Sequence, residues 1–285
     1  MQSFKILSWN ILGPQALDIL SFQSRYRQVI DWQYRFHLLL QKIISFDPDI
    51  ICLQEIDIKI KQEFVNALYE YGFCQSSYAQ RAEIGGVMVL HKISKFELVD
   101  KNNALLSTQE TLDYPGVCAW AILVCKQTKK ELFIASIHLY WELGKEQLAE
   151  LKQIFGASIS MPMILAGDFN ITYPTMVNEI VPYMQHLNII EQQELLLLQH
   201  SSWTTQPPHN ADSTCWQSLD HILFSNALKL NTTDNFVGDP ECVYKDGRVK
   251  TMGLVKDSNK ESIPNDTFPS DHLPIIASFT LHRVE

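Results

Sequence analysis

Long apolar runs are missing from this sequence, because no stretch reaches the roughly 18 consecutive apolar residues that a transmembrane helix needs. The first residues also lack a basic region followed by an apolar stretch and a cleavage site, the pattern of a secretory signal peptide. The chain instead enters a strand-like pattern at once with Phe4-Lys5-Ile6-Leu7. We therefore expect no membrane contact, although export without a cleavable signal would leave no such trace.

Paired cysteines are missing as well. The six cysteines show none of the CxxC spacing that zinc sites use, and most lie inside apolar runs. Cysteines in such runs are typical of small core residues in a reducing compartment. This pattern predicts a cytoplasmic protein.

The signatures of several enzyme classes are also absent. The chain has no GxSxG elbow, no Walker-type lysine loop, no GxGxxG and no HExxH. The neighbours Ser270, Asp271 and His272 suggest a serine hydrolase at first sight, but a nucleophile and base adjacent in the chain seldom face each other correctly. These absences argue against serine hydrolases, P-loop enzymes, dinucleotide-binding enzymes and zinc proteases.

Positive charge is in short supply. Lysine and arginine total 23 against 32 aspartates and glutamates, which gives a formal net charge of −9. A protein that wraps long duplex nucleic acid needs many cationic phosphate contacts. The balance better fits an enzyme that binds a metal and engages a few phosphates, although a local basic stripe is compatible with an acidic whole.

Strand-like and helix-like segments alternate almost from end to end, without repeats or a low-complexity linker. The helices are predicted at about 25–44, 59–71, 145–155, 175–187 and 191–198. The strands are predicted at about 4–9, 49–53, 73–79, 86–91, 95–99, 117–125, 131–138, 163–166, 219–224 and 273–279. This mixture favours one α/β domain over residues 1–285, with two packed sheets.

The stretch from about 231 to 268 departs from this pattern. It is polar and weakly periodic, and it predicts a long loop insertion. Because it leads directly into Ser270-Asp271-His272, two interpretations stay open: the loop borders the functional site, or it is a tolerated surface insertion.

Five strand-like apolar runs end in acidic, amide or imidazole side chains. The five segments are Leu7-Ser8-Trp9-Asn10, Cys52-Leu53-Gln54-Glu55, Ala166-Gly167-Asp168-Phe169-Asn170, Ser218-Leu219-Asp220-His221 and Ser270-Asp271-His272. A buried strand that ends abruptly in a polar group is unfavourable unless that group has a partner. One such ending is ordinary, but five indicate side chains that converge on one divalent metal and a phosphate.

Hydrolysis of a phosphate ester requires neutralised charge, an activated water and a stabilised leaving oxygen. Mg²⁺ prefers oxygen ligands and retains waters, so one or two carboxylates suffice, and Glu55 with Asn10 beside it is the first candidate. Asp168 and Asn170 lie two residues apart and can point into the same space, where they would orient water and a phosphate oxygen. The alternatives are a helix cap at Glu55 and an ordinary turn at Asp168.

Histidines supply the remaining candidates. His138 ends a strand, where an imidazole either contacts phosphate or is a satisfied structural residue. Asp271 beside His272 is a common way to fix a tautomer and stabilise imidazolium. Asp220 could orient His272 or a nearby asparagine, while His221 is expected to point to the opposite face of its strand and to lie outside the site.

Taken in order, six motifs resemble the endonuclease/exonuclease/phosphatase superfamily. They are Ser8-Trp9-Asn10, Leu53-Gln54-Glu55, Ser136-Ile137-His138-Leu139, Gly167-Asp168-Phe169-Asn170, Leu219-Asp220-His221-Ile222 and Ser270-Asp271-His272. The resemblance implies a four-layer α/β/β/α sandwich of two mixed sheets. It also implies Mg²⁺-dependent cleavage of phosphate esters by an activated water, with Mn²⁺ as a substitute metal.

The same resemblance implies a role for each matching residue. The implied metal-binding residues are Asn10, Glu55, Asp168 and His272. The implied catalytic residues are His138, Asp168, Asn170, Asp220, Asp271 and His272. In this scheme His138 contacts the scissile phosphate, and Asp168 and Asn170 place water or a second metal.

Within the superfamily the chain is most similar to the deadenylase, nocturnin and angel branch. The resemblance lies in Trp9-Asn10-Ile11-Leu12, Gly86-Val87-Met88-Val89, His138-Leu139-Tyr140-Trp141 and Pro269-Ser270-Asp271-His272-Leu273-Pro274. The chain departs from that branch where Glu142-Leu143 replaces the Asp-Pro that helps to hold the terminal base.

Base recognition therefore rests on other candidates. The predicted substrate-binding residues are Trp141, Asn170, Asn210 and Trp216, with Trp203 as a further aromatic. An adenine could stack on a tryptophan or hydrogen-bond to the Asn210 amide. Each aromatic has an equally good alternative as a core or surface residue.

The sequence thus predicts a Mg²⁺-dependent 3′-5′ exoribonuclease that removes poly(A), acting as a monomer on the 3′ end of RNA. The main alternative is a phosphatase or phosphodiesterase of a small adenine nucleotide, of the nocturnin or 2′-5′ oligoadenylate type. An abasic-site DNA endonuclease is disfavoured because it would need a more basic face. An inactive binding module is disfavoured because none of the motif residues is lost.

Overall fold

We describe the protein from a computed structural model. The described residues are 2–14, 31–78, 85–106, 115–140, 142–155, 161–172, 175–176, 187–189, 202–203, 216–217, 219–237, 269–270, 272 and 274–281. Within these residues, no helix has both the length and the apolar character that a membrane span requires.

Fourteen strands and three longer helices make up the described chain. The strands are β1 (Gln2–Asn10), β2 (Ile50–Ile56), β3 (Tyr71–Ser77), β4 (Gly86–Lys92), β5 (Phe96–Leu106), β6 (Gly116–Cys125), β7 (Glu131–His138), β8 (Met163–Asp168), β9 (Leu187–Ile189), β10 (Ser202–Trp203), β11 (Trp216–Gln217), β12 (Asp220–Ser225), β13 (Leu228–Val237) and β14 (Ile275–Leu281). The helices are α1 (Trp32–Phe46), α2 (Lys61–Ala67) and α3 (Gly144–Phe155).

Two six-stranded mixed sheets form the centre of the fold. The first has the order β13-β14-β1-β2-β4-β3, and the second has the order β5-β6-β7-β8-β12-β9. Strands β10 and β11 form a separate pair. Each six-stranded sheet contains one parallel pair, β1 with β2 and β7 with β8, and the pairs around them are antiparallel.

Period-two alternation explains why the sheets stack. On β7 and β8, Ile134 and Ile164 belong to the large apolar cluster that also contains residues of the first sheet. Their neighbours Phe133 and Leu165 belong to a second cluster with Leu151 of α3. Because successive side chains point to opposite faces, the second sheet is covered by the first sheet on one side and by α3 on the other. Helices α1 and α2 pack with the first sheet, which gives the predicted α/β/β/α sandwich.

The topology explains why polar strand ends meet. The parallel pairs are joined through helices, β1-α1-β2 and β7-α3-β8, so the carboxyl ends of both strands in each pair lie at one edge. Strand β12 runs antiparallel to β8 and begins there, with Asp220 opposite Asp168. Strand β14 runs antiparallel to β1 and follows His272.

Helix α1 differs from the prediction in position and in its buried face. It begins at Trp32, where Asp31 caps the Tyr34 N–H, and ends before Asp47, which adopts a left-handed conformation. Tyr34 and Leu38, apolar residues at helical spacing that the sequence favours for the buried face, are only half-buried. The fully buried stripe is Arg35, Leu39, Ile43 and Phe46.

The expected loop from residue 231 begins inside a strand. Strand β13 continues to Val237 at the sheet edge and pairs with β14, with a register shift between Asn231 and Phe236. An edge strand has one unpaired side and tolerates polar residues, which is why the sequence pattern concealed it. The rest of that loop, 238–268, and the helices expected at 175–187 and 191–198 lie almost wholly outside the described residues.

Candidate active site at the carboxyl ends of the central strands

Glu55 reaches the site through an irregularity in β2. The pairing with β4 shifts between Gln54 and Ile56, so Glu55 is the extra residue of a bulge. Its φ of 59° lies in the left-handed region, which is unfavourable for a residue with a side chain. One carboxylate oxygen, Oε1, accepts a hydrogen bond from Asn10 Nδ2 at 2.9 Å. The bulge therefore turns a carboxylate from the strand toward the end of β1.

Asn10 is fully buried and links the acidic groups of the site. Its amino nitrogen lies 2.9 Å from Glu55 Oε1, 3.1 Å from Asp168 Oδ2 and 3.4 Å from His272 Nε2. Its amide oxygen accepts the Leu12 N–H at 3.1 Å. In this arrangement Asn10 donates to the carboxylates, and direct metal ligation through its oxygen would require the amide to turn over. Its predicted role as a ligand stays a prediction.

Gly167 allows β7 and β8 to approach each other just before Asp168. Its φ is 152°, and a Cβ added there would lie 1.9 Å from the Ile137 carbonyl oxygen. Only glycine fits such an approach. The parallel register then places His138 beside Asp168, with His138 Nε2 3.7 Å from Asp168 Oδ2.

Asp168 is the central carboxylate of the site. It is 2% exposed, its Oδ1 accepts the Asn170 N–H at 2.9 Å, and its Oδ2 faces Asn10, His138 and His272. Burial raises the pKa of Asp168, and the charge of Asp220 raises it further. The two histidines and the Asn170 N–H act in the opposite direction. Asp168 is thus a better proton acceptor than a solvated aspartate.

Asp220 and His272 form a hydrogen-bonded pair. His272 Nδ1 lies 2.9 Å from Asp220 Oδ2, which fixes the proton on Nδ1. The other ring nitrogen, Nε2, then faces Asp168 Oδ2 at 3.8 Å. Of the two partners left open for Asp220, the structure shows His272.

Asn170 lies in a left-handed conformation with φ of 50°. Its amino group donates to the Leu139 carbonyl at 2.7 Å, and the Leu139 N–H donates to the Asp168 carbonyl at 3.0 Å. The chain segments after β7 and β8 are therefore tied together at the site. One N–H of the Asn170 amide donates to Leu139. A phosphate would therefore be contacted by the second N–H of that amide.

His221 lies on the other face of β12, as expected. Its Nε2 donates to the Ile171 carbonyl at 2.6 Å, and its ring packs 5.8 Å from the Phe169 ring. Burial lowers its pKa to about 4. His221 is neutral at physiological pH and holds the segment after Asp168 in place.

Sequence reasoning missed the supporting polar network below the site. Gln54 Nε2 donates to Ser136 Oγ at 3.0 Å, and Ser136 Oγ donates to the Leu53 carbonyl at 3.0 Å, which joins the two sheets. Ser270 Oγ donates to the Asn10 carbonyl at 2.7 Å and accepts the His272 N–H at 3.1 Å. The signal for Gln54 was its position inside an otherwise apolar strand.

The residues present fit a divalent cation. Ligand atoms of Asp168, Asp220 and His272 lie within 4.8 Å of one another. Glu55 Oε2 is buried and has no hydrogen-bond partner in the described part of the chain. An unpaired buried carboxylate oxygen is unfavourable, and a cation would satisfy it. Because Asp220 Oδ2 is bonded to His272, we take Glu55 and Asp168 as the candidate ligands and Asp220 as the candidate orienting group.

The structure thus brings together six of the predicted residues: Asn10, Glu55, His138, Asp168, Asp220 and His272. Asn170 lies beside them. Asp271, Asn210 and Trp141 lie outside the described residues, and only the backbone of Trp216 is described, paired with Trp203. The roles assigned to these four stay predictions.

A sequence profile of the family described as "Endonuclease/Exonuclease/phosphatase family" matches residues 7–272. The match covers nearly the whole chain, and the chain therefore belongs to this family. By class it is a phosphoric ester hydrolase.

Two relatives agree with the predicted branch, and one solved structure agrees with the predicted fold. Nocturnin of Xenopus laevis is 26% identical, and the alignment covers 99% of this chain and 74% of the relative. The CCR4-Not complex 3′-5′-exoribonuclease subunit Ccr4 of Kluyveromyces lactis is 22% identical over 99% of this chain and 41% of the relative. The crystal structure of ANGEL2, a 2′,3′-cyclic phosphatase, superposes with a TM-score of 0.73 at 19% identity, over 97% of this chain and 95% of that one. At this identity the structural likeness confirms the fold alone.

Proposed function

We propose that the protein is a Mg²⁺-dependent 3′-5′ exoribonuclease that removes poly(A) from RNA. The observation that carries the metal-dependent part is the unpaired, buried Glu55 Oε2 next to the cluster of Asn10, Asp168 and His272. Similarity to Ccr4 of Kluyveromyces lactis, which is named as a 3′-5′ exoribonuclease, supports the direction and the substrate class.

Glu55 and Asp168 would hold the cation. When bound, Mg²⁺ neutralises phosphate charge and polarises the bond that breaks. Asn10 donates to both carboxylates and so keeps their oxygens at a fixed separation. The Asn10 amide, hydrogen-bonded to both carboxylates, thus reduces the rearrangement needed for metal binding.

Asp168 is the residue we assign to the attacking water. Its Oδ2 lies at the centre of the site, within reach of Asn10, His138 and His272, where it can accept a proton from a bound water. The water oxygen forms the new bond to phosphorus and one of its protons passes to Asp168. The bond to the 3′ oxygen of the shortened RNA breaks, and that oxygen takes up a proton from solvent to become the new 3′ hydroxyl. The product is a 5′ mononucleotide.

Two imidazoles complete the proposed machinery. His138 is half-buried at the rim, 3.7 Å from Asp168 Oδ2, where it would contact the scissile phosphate. His272 presents Nε2 to the same space, and Asp220 stabilises its imidazolium form through Nδ1. An imidazolium so held donates a hydrogen bond to a phosphate oxygen as negative charge grows there.

A second candidate substrate is a small adenine nucleotide. The formal net charge of −9 favours it, because a short substrate needs few cationic phosphate contacts. In either case we assign adenine recognition to Trp216, Asn210 and Trp141, by stacking and by an amide hydrogen bond.

The first experiment uses 5′-labelled RNA that ends in about 20 adenosines and a matched RNA with a non-adenosine tail. Purified protein is incubated with Mg²⁺, and the products are resolved on a gel. We expect a ladder of progressively shorter products from the adenosine-tailed RNA. The RNA with the non-adenosine tail should be shortened little. Intact RNA in both lanes would reject the exoribonuclease, and oligoadenylates and adenine dinucleotides would then be tested with the same protein.

Base preference has its own test. If Trp216 stacks on the terminal base, Trp216→Ala weakens action on adenosine tails by about 1–3 kcal/mol, or roughly 5- to 150-fold. The control is Trp120→Phe. Trp120 packs against Phe133 of β7 and Phe155 of α3, so this variant changes a tryptophan that has a packing role. Equal loss on all substrates would make Trp216 a structural residue.

A further inference from the structure

Arg35 is the one charged residue in the buried stripe of α1. It is 0% exposed, and it precedes Leu39, Ile43 and Phe46 on the face of the helix that packs against the first sheet. A buried guanidinium is strongly unfavourable unless it is hydrogen-bonded. Packing alone therefore does not explain why an arginine lies at this buried position.

The guanidinium binds the backbone of two distant chain segments. Nη2 donates to the Leu12 carbonyl at 2.6 Å, and Nη1 donates to the Pro269 carbonyl at 2.9 Å, with the Ile11 carbonyl at 3.5 Å. These segments are separated by more than 250 residues in sequence. Arg35 joins them through a single side chain.

Each of those segments leads to a residue of the candidate site. Leu12 has a left-handed φ of 53°, and its N–H holds the Asn10 oxygen, so its conformation sets the orientation of the Asn10 amide. Pro269 precedes Ser270, whose hydroxyl bridges the Asn10 carbonyl and the His272 N–H. Displacement of either carbonyl would move Asn10 relative to His272.

A forked, planar guanidinium suits this task better than an ammonium. It can direct separate N–H groups to two carbonyls at fixed angles, whereas lysine offers a single point charge. Trp32 supports it, since the Arg35 guanidinium lies 5.4 Å from the centre of the indole ring. The Trp32 N–H is in turn held by Glu63 of α2 at 3.2 Å.

We infer that Arg35 is a positioning residue that sets the placement of Asn10 and His272 around the metal and the phosphate. Its consequence for turnover rests on the proposed function. Its consequence for the geometry of the junction between β1 and the Ser270 segment does not, and it can be measured without metal or substrate.

The test compares Arg35→Met and Arg35→Lys with Leu39→Ala. Leu39 is buried in the same helix stripe and its apolar side chain can make no hydrogen bond to either segment, so its variant reproduces a loss of core packing alone. The reporter is the indole N–H of Trp9, which donates to the His272 carbonyl at 2.8 Å. Its NMR cross-peak is assigned with Trp9→Phe.

Both Arg35 variants are expected to shift or broaden the Trp9 cross-peak in metal-free protein, and Leu39→Ala is expected to leave it in place. A Mn²⁺ titration monitored by electron paramagnetic resonance should show that the affinity of Arg35→Met for Mn²⁺ is reduced by about 10- to 100-fold. Turnover of bis(p-nitrophenyl) phosphate should fall in kcat by a similar factor, with KM nearly unchanged. If Arg35→Met does not fold, Arg35→Lys keeps the charge and decides the question.

The inference is overturned if the Arg35 variants match Leu39→Ala in the Trp9 cross-peak and in Mn²⁺ affinity. Failure of the proposed function has a different signature, because wild-type protein would then neither bind Mn²⁺ nor cleave phosphodiesters. In that case the shifted Trp9 cross-peak would still support the positioning role of Arg35.

Discussion

The two ends of the sheet sandwich carry the same residue types in opposite electrostatic states. At the end away from the site, Asp47 is exposed and pairs with Lys92, and this hydrogen bond lowers the pKa of Asp47. Nearby, Asp49 accepts the Lys5 N–H at 2.9 Å and the Lys95 ammonium at 2.8 Å. At the site end, Asp168 is buried, and burial together with Asp220 raises its pKa.

The difference lies in what balances the negative charge. Lysines pair with the aspartates of the first end, so the negative charge there is balanced within the protein. In the described chain, the imidazoles of His272 and His138 and the Asn170 N–H oppose the charge of Asp168, no lysine or arginine is among the groups that lower its pKa, and Glu55 keeps an unpaired oxygen. We therefore expect a cation to complete the stabilisation of the site end, which is the arrangement of a metal-dependent active site.

Replacing the central carboxylate should give the largest contrast. We expect Asp168→Asn to lower turnover by about 10²- to 10⁴-fold, because the amide cannot accept the proton of the attacking water. Since the folded-state pKa of Asp168 is raised, the ionised group destabilises the fold progressively as pH rises above its unfolded value of 3.8. Asp168→Asn should therefore unfold at the same or a higher temperature than wild type at neutral pH. Steady-state kinetics tests the predicted loss of turnover, and thermal unfolding tests the predicted stability of the variant.

The control for this prediction is His272→Ala, which also removes a site residue but opens the bond to Asp220. A similar loss of turnover is expected. If Asp168→Asn keeps near-normal turnover while its fold is intact, our assignment of the catalytic centre is wrong.

The unpaired oxygen of Glu55 leads to the second prediction. Ligand binding stabilises a folded protein by about 2.7 kcal/mol at a concentration of 100 times Kd. Wild type should show stabilisation of that order in Mg²⁺ or Mn²⁺, and Glu55→Gln should lose most of it. Differential scanning calorimetry across a metal titration provides the measurement.

Asp49→Asn, at the opposite end, is the matched control for Glu55→Gln. It removes a paired carboxylate and should leave the metal response unchanged. Metal-dependent stabilisation that survives in Glu55→Gln but disappears in the Asp49 variant would reverse the comparison between the two ends.

The convergence of Glu55, Asp168 and His272 was predictable because strand ends follow from the alternation of apolar and polar residues. The bulge at Glu55 was not, since sequence gives no register between β2 and β4. Nor could periodicity separate the half-buried Tyr34 face of α1 from the buried Leu39 face, because both are apolar.

Arg35 shows why supporting residues are harder to predict than the residues of the centre. A charged residue ordinarily lies on the solvent face of a helix, whereas Arg35 is buried and its partners are backbone carbonyls from both ends of the chain. Backbone contacts leave no pattern of side-chain types in a sequence. The polar edge strand β13 was missed for a related reason, since its stability depends on pairing with β14.

His221 should make the site end sensitive to acid. Its folded pKa is about 4 against an unfolded value of 6.5, so between these values the unfolded chain binds the additional proton. Stability is then retained above about pH 6.5 and lost as pH falls through this window. Relative to His221→Asn, wild type should lose about 2 kcal/mol more between about pH 7 and pH 5. Urea unfolding at several pH values measures the difference, and parallel curves for the two proteins would refute it.

The smallest effect is expected at the exposed pair of Asp47 and Lys92. The Asp47 side chain is 75% exposed, and solvent-exposed pairs contribute about 0–1 kcal/mol. Its lowered pKa means that the contribution is present above pH 3.8 and is lost as pH falls further. Asp47→Asn should therefore destabilise the protein by less than about 1 kcal/mol at neutral pH, and about 1 M salt should abolish the difference. A larger, salt-resistant loss in urea unfolding would mean that this end depends on its charges as strongly as the site does.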